Sequence, residues 1–237
     1  MTREIITRRN LPHWYVPGAL HFVTFRLAGT LPAGVIDDLQ RRKAEWLRQK
    51  RSAATCEAAH RRQVHKRLFA VYDEYLDHHQ EVDHLAEPRV AALVRRSLYH
   101  LHGEKYGLSA YCILPNHVHV LFLPYSLHLP TEAALKREPG ECADAVSPLS
   151  GIMHSLKGYT GHEANKILRR KGSFWQHESY DHWVRDEDEL ERIVEYINTN
   201  PVKADLARAP QDWVWSSAHD RFLTDGDPCG WLRWDDS

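Results

Sequence analysis

Cysteine is scarce: the chain has four, Cys56, Cys112, Cys142 and Cys229, in 237 residues, with no CxxC pair. Such a spread indicates neither a zinc ribbon nor a disulfide framework and fits a reducing cytoplasm. Long apolar runs are missing as well. None approaches the ~18 residues of a membrane span, and MTREIITRRN is charged from its third residue, so no membrane association or targeting is expected. No repeat period is present, which excludes a solenoid. An excess of one charge is also lacking, since 31 Lys+Arg oppose 32 Asp+Glu for a net charge of −1. That balance argues against a protein that coats nucleic acid. What is abundant is apolar residue content, 43%, which excludes disordered, collagenous and coiled-coil classes. The length suits one large domain, 1–237, carrying an insertion.

The neutral total conceals an uneven distribution. Residues 1–70 hold 14 Lys/Arg against 5 Asp/Glu, a local charge of +9, whereas residues 173–195 hold eight acids against two arginines, a local charge of −6. Two solvated helix faces would account for this. So would a basic front half that follows a phosphate backbone beside an acidic segment that concentrates a cation.

Residues 21–28 (HFVTFRLA) are rich in β-formers and bounded by Pro17-Gly18 and Gly29, which predicts a strand. Helix-compatible apolar spacing follows over 35–50 and 54–79, the basic region, an insertion at about 34–85. Pro88 opens a further helix running to about Glu104. Residues 106–114 and 117–123 alternate as two short strands joined at Pro115-Asn116. Residues 125–148 lack apolar periodicity and read as a mobile connection, and 149–170 as helix. The stretch SFWQHESYDHWVRD is too dense in aromatics and charges for a routine loop. Residues 186–199 form a helix with acids in its first turn, stopped by Pro201. A tail with Trp213, Trp215, Trp231 and Trp234 wraps the domain. The expected class is α+β, a ferredoxin-like antiparallel sheet covered by helices, with the basic helical insertion and the C-terminal tail.

The most informative motif is PNHVHVLFL, residues 115–123. Alternation on a strand puts His117 and His119 on one face and Val118, Val120 and Phe122 on the other. Two imidazoles on one pleat can hold one divalent metal through a nitrogen each, leaving positions open for water or a phosphate oxygen. A further donor must come from a helix across the sheet. On the 186–199 helix, Tyr196 and Asn200 stand four residues apart, on neighbouring turns at the margin of the stripe made by Ile193 and Ile197, with Glu189 near the same margin. A plainer reading makes Tyr196 an edge-of-core tyrosine and Asn200 a helix stop. Tyr159 and Tyr180 are competing phenols, and composition does not choose among the three.

The blocks ILPNHVHVLF, SLKGYTGHEANKIL, FWQHESYDHWVRDEDELERIVEYINTNPVKADL and DWVWSSA, in this order, resemble the REP-associated tyrosine transposases, bacterial relatives of the small single-strand transposases with an HUH motif. The resemblance covers most of the chain. It implies that His117 and His119 bind the metal, that Tyr196 is the nucleophile and that Asn200 takes the third ligand's place. It also implies a ferredoxin-like sheet and an enzyme that nicks and rejoins single-stranded DNA beside palindromic hairpins through a 5′-phosphotyrosine. The chain departs from a minimal member in its longer, more basic segment at 30–85 and in its neutral charge.

On that reading the phenol splits the phosphodiester without water and the bond energy is retained for rejoining, while Mg²⁺ or Mn²⁺ polarises the scissile oxygens. Imidazoles alone would favour zinc or copper, so ligand type leaves the metal open. Candidate phosphate contacts are Arg41, Arg42, Lys43, Arg48, Lys50, Arg51, Arg61, Arg62, Lys66 and Arg67, with Lys157, Lys166, Arg169, Arg170 and Lys171 as a second group. Trp14, Tyr15, Trp175 and Trp183 are candidates for base stacking or for core. Gln176 and Arg185 are expected to brace the site. The expected partner is hairpin-bearing single-stranded DNA, bound by a monomer or a homodimer. The rival readings are a zinc phosphoesterase that uses water and a hairpin-binding protein without cleavage.

Overall fold

The computed structural model describes residues 5–8, 12–49, 57–78, 81–125 and 147–219. A short hairpin, β1 (Ile5–Arg8) and β2 (Pro12–Tyr15), precedes the first strand of the main sheet, β3 (His21–Arg26). Two helices follow, α1 (Ala33–Arg48) and α2 (Glu57–His78), then α3 (Pro88–Leu101). Strands β4 (Tyr106–Ile113) and β5 (His117–Pro124) form a tight antiparallel pair. Helix α4 (Pro148–Ile167), strand β6 (Tyr180–Trp183) and helix α5 (Glu187–Lys203) complete the order.

The four-stranded sheet runs β4-β5-β3-β6 and every pair in it is antiparallel. Taken in chain order, β3-α3-β4-β5-α4-β6 is the split β-α-β arrangement of a ferredoxin-like fold, as the sequence predicts. One face buries Val23, Phe25, Val118, Val120 and Phe122 against α3 and α4. The opposite face carries Phe22, Ala110, Cys112 and Leu121 under Ile197 of α5. Helices α1 and α2 close a third cluster around Leu39, Leu68 and Leu76, so this helical segment has a core of its own beside the sheet.

One stretch left open by the sequence gains an element, and two expectations need correction. The stretch 173–186 contains the edge strand β6, whose residues 180–183 pair with His21–Thr24; the polar Asp181 and His182 hide a strand pattern that an edge position tolerates. Pro201 does not stop α5, which continues to Lys203. Proline's fixed φ suits a helix and removes only one donor, and the last turn is held by Ala204 N–H to Asn200 O (2.9 Å) and Leu206 N–H to Pro201 O (2.8 Å). The helix predicted to reach about Glu104 ends at Leu101, where Gly103 takes φ +82°. Residues 126–146, most of the expected connection, lie outside the described residues, as do Trp231 and Trp234. In the tail, Trp213 donates from Nε1 to the Ile113 carbonyl at 2.9 Å, and Trp215 packs on the core.

Candidate active site

The alternation of β5 turns His117 and His119 toward the face covered by α2 and α5, and both rings are buried. Each ring is held at Nδ1. His117 Nδ1 lies 2.5 Å from Asn116 Oδ1, and the Asn116 amide is oriented by its Nδ2–H, which donates to the Leu76 carbonyl at 2.8 Å. His119 Nδ1 lies 2.7 Å from Thr24 Oγ1. In the tautomer with Nδ1–H donating to Asn116 Oδ1 in one ring and to Thr24 Oγ1 in the other, both Nε2 lone pairs face inward. The two Nε2 atoms stand 3.0 Å apart.

Two facing lone pairs at that distance call for a cation or a proton between them. Burial disfavours the proton, pushing the His117 imidazole down to about 3 and the His119 imidazole well below its ordinary value. A third donor completes the group. Asp73 of α2 places Oδ1 3.4 Å from His119 Nε2, and this oxygen is buried without a hydrogen-bond partner. The ligand atoms of Asp73, His117 and His119 all lie within 4.8 Å of one another. Asp77, one turn further along α2, lies 3.9 Å from His117 Nε2. Burial and the neighbouring Asp77 carboxylate raise the Asp73 carboxyl to about 7. Two imidazoles and a carboxylate with an orphaned oxygen fit a divalent cation.

Tyr196 of α5 reaches the same point. Its hydroxyl donates a short hydrogen bond to Asp73 Oδ2 and lies 3.4 Å from His119 Nε2. The ring is set edge-on to Phe22 and Phe69. Burial, and then the Asp73 carboxylate, push the phenol well above its ordinary value. Asn200, one turn on, is fully buried and both its amide atoms lack hydrogen-bond partners. Lys203, a further turn along, puts its ammonium 4.8 Å from the centre of the Tyr196 ring. The structure therefore brings His117, His119 and Tyr196 together and adds Asp73, which sequence reasoning missed. Its signal was there: Phe69, Asp73 and Asp77 repeat every four residues on one face of an otherwise basic helix. Tyr159 is 60% exposed on α4, the helix over the opposite face of the sheet. Tyr180 is packed flat on Phe69, ring centres 4.1 Å apart.

The expected supports and phosphate contacts divide. Arg185 grips Glu189 at 2.6 and 2.8 Å, and Lys66 and His182 reach the same carboxylate at 3.4 and 3.1 Å. Burial alone would raise the Glu189 carboxyl, but Arg185 and His182 hold it well below the usual carboxylate range. Asp186 caps α5 by accepting from Glu189 N–H at 2.8 Å. The acidic run thus serves the start of α5, about 10 Å along the axis from Tyr196 at 1.5 Å per residue. Gln176 N–H donates to the Arg26 carbonyl at 2.9 Å, joining the β6 segment to β3.

Arg41 and Arg42 both bond Asp38 in an exposed cluster, the latter at 2.6 Å. Lys43 is half-buried, whereas Arg48 and Arg67 are exposed. Arg61 and Arg62 fall on α2, and Lys50 and Arg51 lie outside the described residues. Lys157 donates to the His177 carbonyl at 2.8 Å, and burial lowers it to about 8. Arg169 sits in the turn after α4 with φ +51°, and Arg170 lies over the Phe174 ring. Tyr15 and Trp175 are core, not stacking platforms.

A ferredoxin-like sheet here presents two histidines, separated by one residue, to a helix-borne tyrosine, the arrangement that the sequence's resemblance to single-tyrosine HUH proteins implies. By sequence the chain is similar to a REP-associated tyrosine transposase: a Haemophilus influenzae (strain ATCC 51907 / DSM 11121 / KW20 / Rd) protein provisionally given that name is 30% identical over a stretch covering 52% of this chain. The match spans 66% of that relative's own length. Among solved structures, one of a REP-associated tyrosine transposase bound to a REP hairpin is similar at 17% identity, with a TM-score of 0.49, covering 92% of this chain and 87% of that one. No family model matches the chain.

Proposed function

We propose that the protein is a metal-dependent transesterase that cleaves and rejoins single-stranded DNA at palindromic hairpins through Tyr196. One observation carries the reading: the Tyr196 hydroxyl meets Asp73 and His119 at a single point, although the three residues come from α2, β5 and α5.

The chemistry follows from those contacts. The Tyr196 oxygen attacks the phosphorus to form the 5′-phosphotyrosine, its proton passes to the Asp73 oxygen it already bonds, and the 3′ oxygen departs, taking up a proton from solvent to become a 3′ hydroxyl while Asp73 releases its own. The reverse attack by a 3′ hydroxyl restores the phosphodiester and returns the proton to the phenol oxygen. No water is consumed in either direction. A phenol held so far from ionisation needs help, and the short bond to Asp73 supplies an acceptor in place. Lys203 lies where it offers positive charge beside the phenol and the phosphate. His117, His119, Asp73 and Asn200 would hold Mg²⁺ or Mn²⁺, which supplies Lewis-acid polarisation of the phosphate oxygens when bound. The carboxylate and amide oxygens move the donor set toward oxygen-loving cations relative to two imidazoles alone.

The test uses single-stranded oligonucleotides from the inverted repeats that flank the coding sequence, incubated with the protein and Mn²⁺ and run on a denaturing gel. A protein band shifted by covalent DNA is expected from the wild type. Hydrolysis products with no adduct would instead establish the water-using phosphoesterase.

A further inference from the structure

A cavity of about 300 Å³ opens between α1, α2 and the segment that leads into β6, on the sheet face that holds the histidines. Its volume is at the small-ligand end of the range for binding pockets. Leu39 and Leu68 give it an apolar wall, and Phe69, Tyr72 and Tyr180 an aromatic one. Arg26, Lys43, Gln176 and Glu178 line it with polar groups. Arg26 is 5% exposed and lies 5.9 Å over the Tyr72 ring.

The cavity shares a wall with the catalytic centre. Phe69 stands 6.1 Å from the Tyr196 ring and 6.4 Å from the His119 ring, and Arg26 is in register with His117 across the β3-β5 pair. A nucleotide next to a phosphate held at Tyr196 therefore has an apolar, aromatic recess beside it.

We propose that this cavity receives one unpaired guanine of the bound DNA strand and sets base preference next to the cleavage point. The inference rests on the single-stranded DNA reading above. Guanine presents two adjacent N–H donors, N1 and N2, beside the O6 acceptor on its pairing edge. The Glu178 carboxylate matches the donors, and Lys43 or the Gln176 amide matches O6. Adenine would turn its N1 lone pair toward the carboxylate, and thymine offers one N–H between two carbonyls. The aromatic wall supplies stacking, and the two cations against one carboxylate leave positive charge for the adjoining phosphate.

Fluorescence anisotropy of the full chain in EDTA, with labelled nonamers of thymidine whose central position is dG, dA, dC, deoxyinosine or dT, tests this without chemistry. The dG nonamer should bind about tenfold tighter than all-thymidine, with deoxyinosine between them because it lacks N2. Glu178→Gln should erase the dG preference while its melting temperature and its affinity for all-thymidine stay unchanged. Equal affinities across the five nonamers, absence of measurable binding, or a dG preference that survives in Glu178→Gln would each overturn the pocket. Tyr196→Phe should keep the preference. A wild type that forms the covalent adduct yet shows no base preference defeats the pocket alone, and one that prefers dG yet never forms an adduct defeats the transesterase reading alone.

Discussion

At the residue scale, a small number of atoms decide what this site can do. Asn116 and Thr24 hold the Nδ1 atoms of His117 and His119, so the Nε2 atoms are left to converge. The phenol of Tyr196 and the free oxygen of Asp73 arrive at the same place. Tyr196→Phe removes only the hydroxyl, so adduct formation on a denaturing gel should vanish while hairpin affinity in a filter-binding assay stays within about twofold. Tyr159→Phe, on an exposed tyrosine over the other face, should leave both unchanged. Asp73→Asn preserves shape but withdraws the carboxylate. Its Mn²⁺ affinity by titration calorimetry should fall at least tenfold, on the order of the losses seen when metal-site partners are removed. Unchanged affinity would move the third ligand elsewhere. The histidine pair was legible in the sequence because period-two alternation is a local rule, whereas the choice of Tyr196 over Tyr159 and Tyr180 came from the family resemblance alone. For Asp73 the sequence offered only the four-residue repeat on α2; that it meets His119, far away in the chain, follows from the packing of α2 on the sheet.

At the scale of elements, the departures from simple patterning have local causes. Strict alternation along β4 would put Tyr106, Leu108, Ala110 and Cys112 on one face. The register instead shifts between Leu108 and Ala110, a bulge that sends Tyr111 and Ile113 to the α3 face and Ala110 and Cys112 to the histidine face. Small side chains then lie beside the histidines. No pattern in the sequence marks the extra residue. Continuation of α5 through Pro201 has a consequence too, since it places Lys203 on the same helix face as Tyr196 and Asn200. The start of α5 depends on Glu189, which is 2% exposed and shared by Arg185, Lys66 and His182. Glu189→Gln should cost about 1–3 kcal/mol in urea unfolding at neutral pH, the range for a hydrogen bond to a charged group.

The pH dependence of that loss has a definite sign. Because the folded carboxyl is held well below its ordinary value, its contribution is complete above about pH 4.3 and disappears as pH falls through and below that value. The difference between wild type and Glu189→Gln should therefore shrink in acid. A gap that stays constant down to pH 3 would contradict the ion pairing. Gly161 sets another limit on packing between elements: a Cβ there would meet Phe174 Cβ and Trp175 Cδ1 at 3.3 Å. Gly161→Ala should lower stability by about 1–3 kcal/mol through overpacking, read as a lower urea midpoint.

At the scale of the whole molecule, the ferredoxin-like sheet is a scaffold whose two faces do different work. One is a closed apolar core under α3 and α4, and the other carries the polar centre under α2 and α5. This division was readable in part from the sequence, since the order strand, helices, strand, strand, helix and the alternation of residues 117–123 point to it, while the closing strand β6 came from the structure. The role of the basic helical segment was readable only in part. Its charge is plain in the composition, but it contributes Asp73 to the centre and Phe69 and Tyr72 to the cavity beside it, and those come from tertiary packing. Among the described residues no helix is long and apolar enough to cross a membrane. All of these features converge on one claim, that Tyr196 becomes covalently joined to DNA at the histidine pair. The most direct measurement is mass spectrometry of proteolytic peptides after incubation with Mn²⁺ and a hairpin-bearing single strand. The account predicts a nucleotide mass on the peptide containing Tyr196 and none after chelation; a nucleotide on the Tyr159 or Tyr180 peptide, or cleaved DNA with no modified peptide, would contradict it.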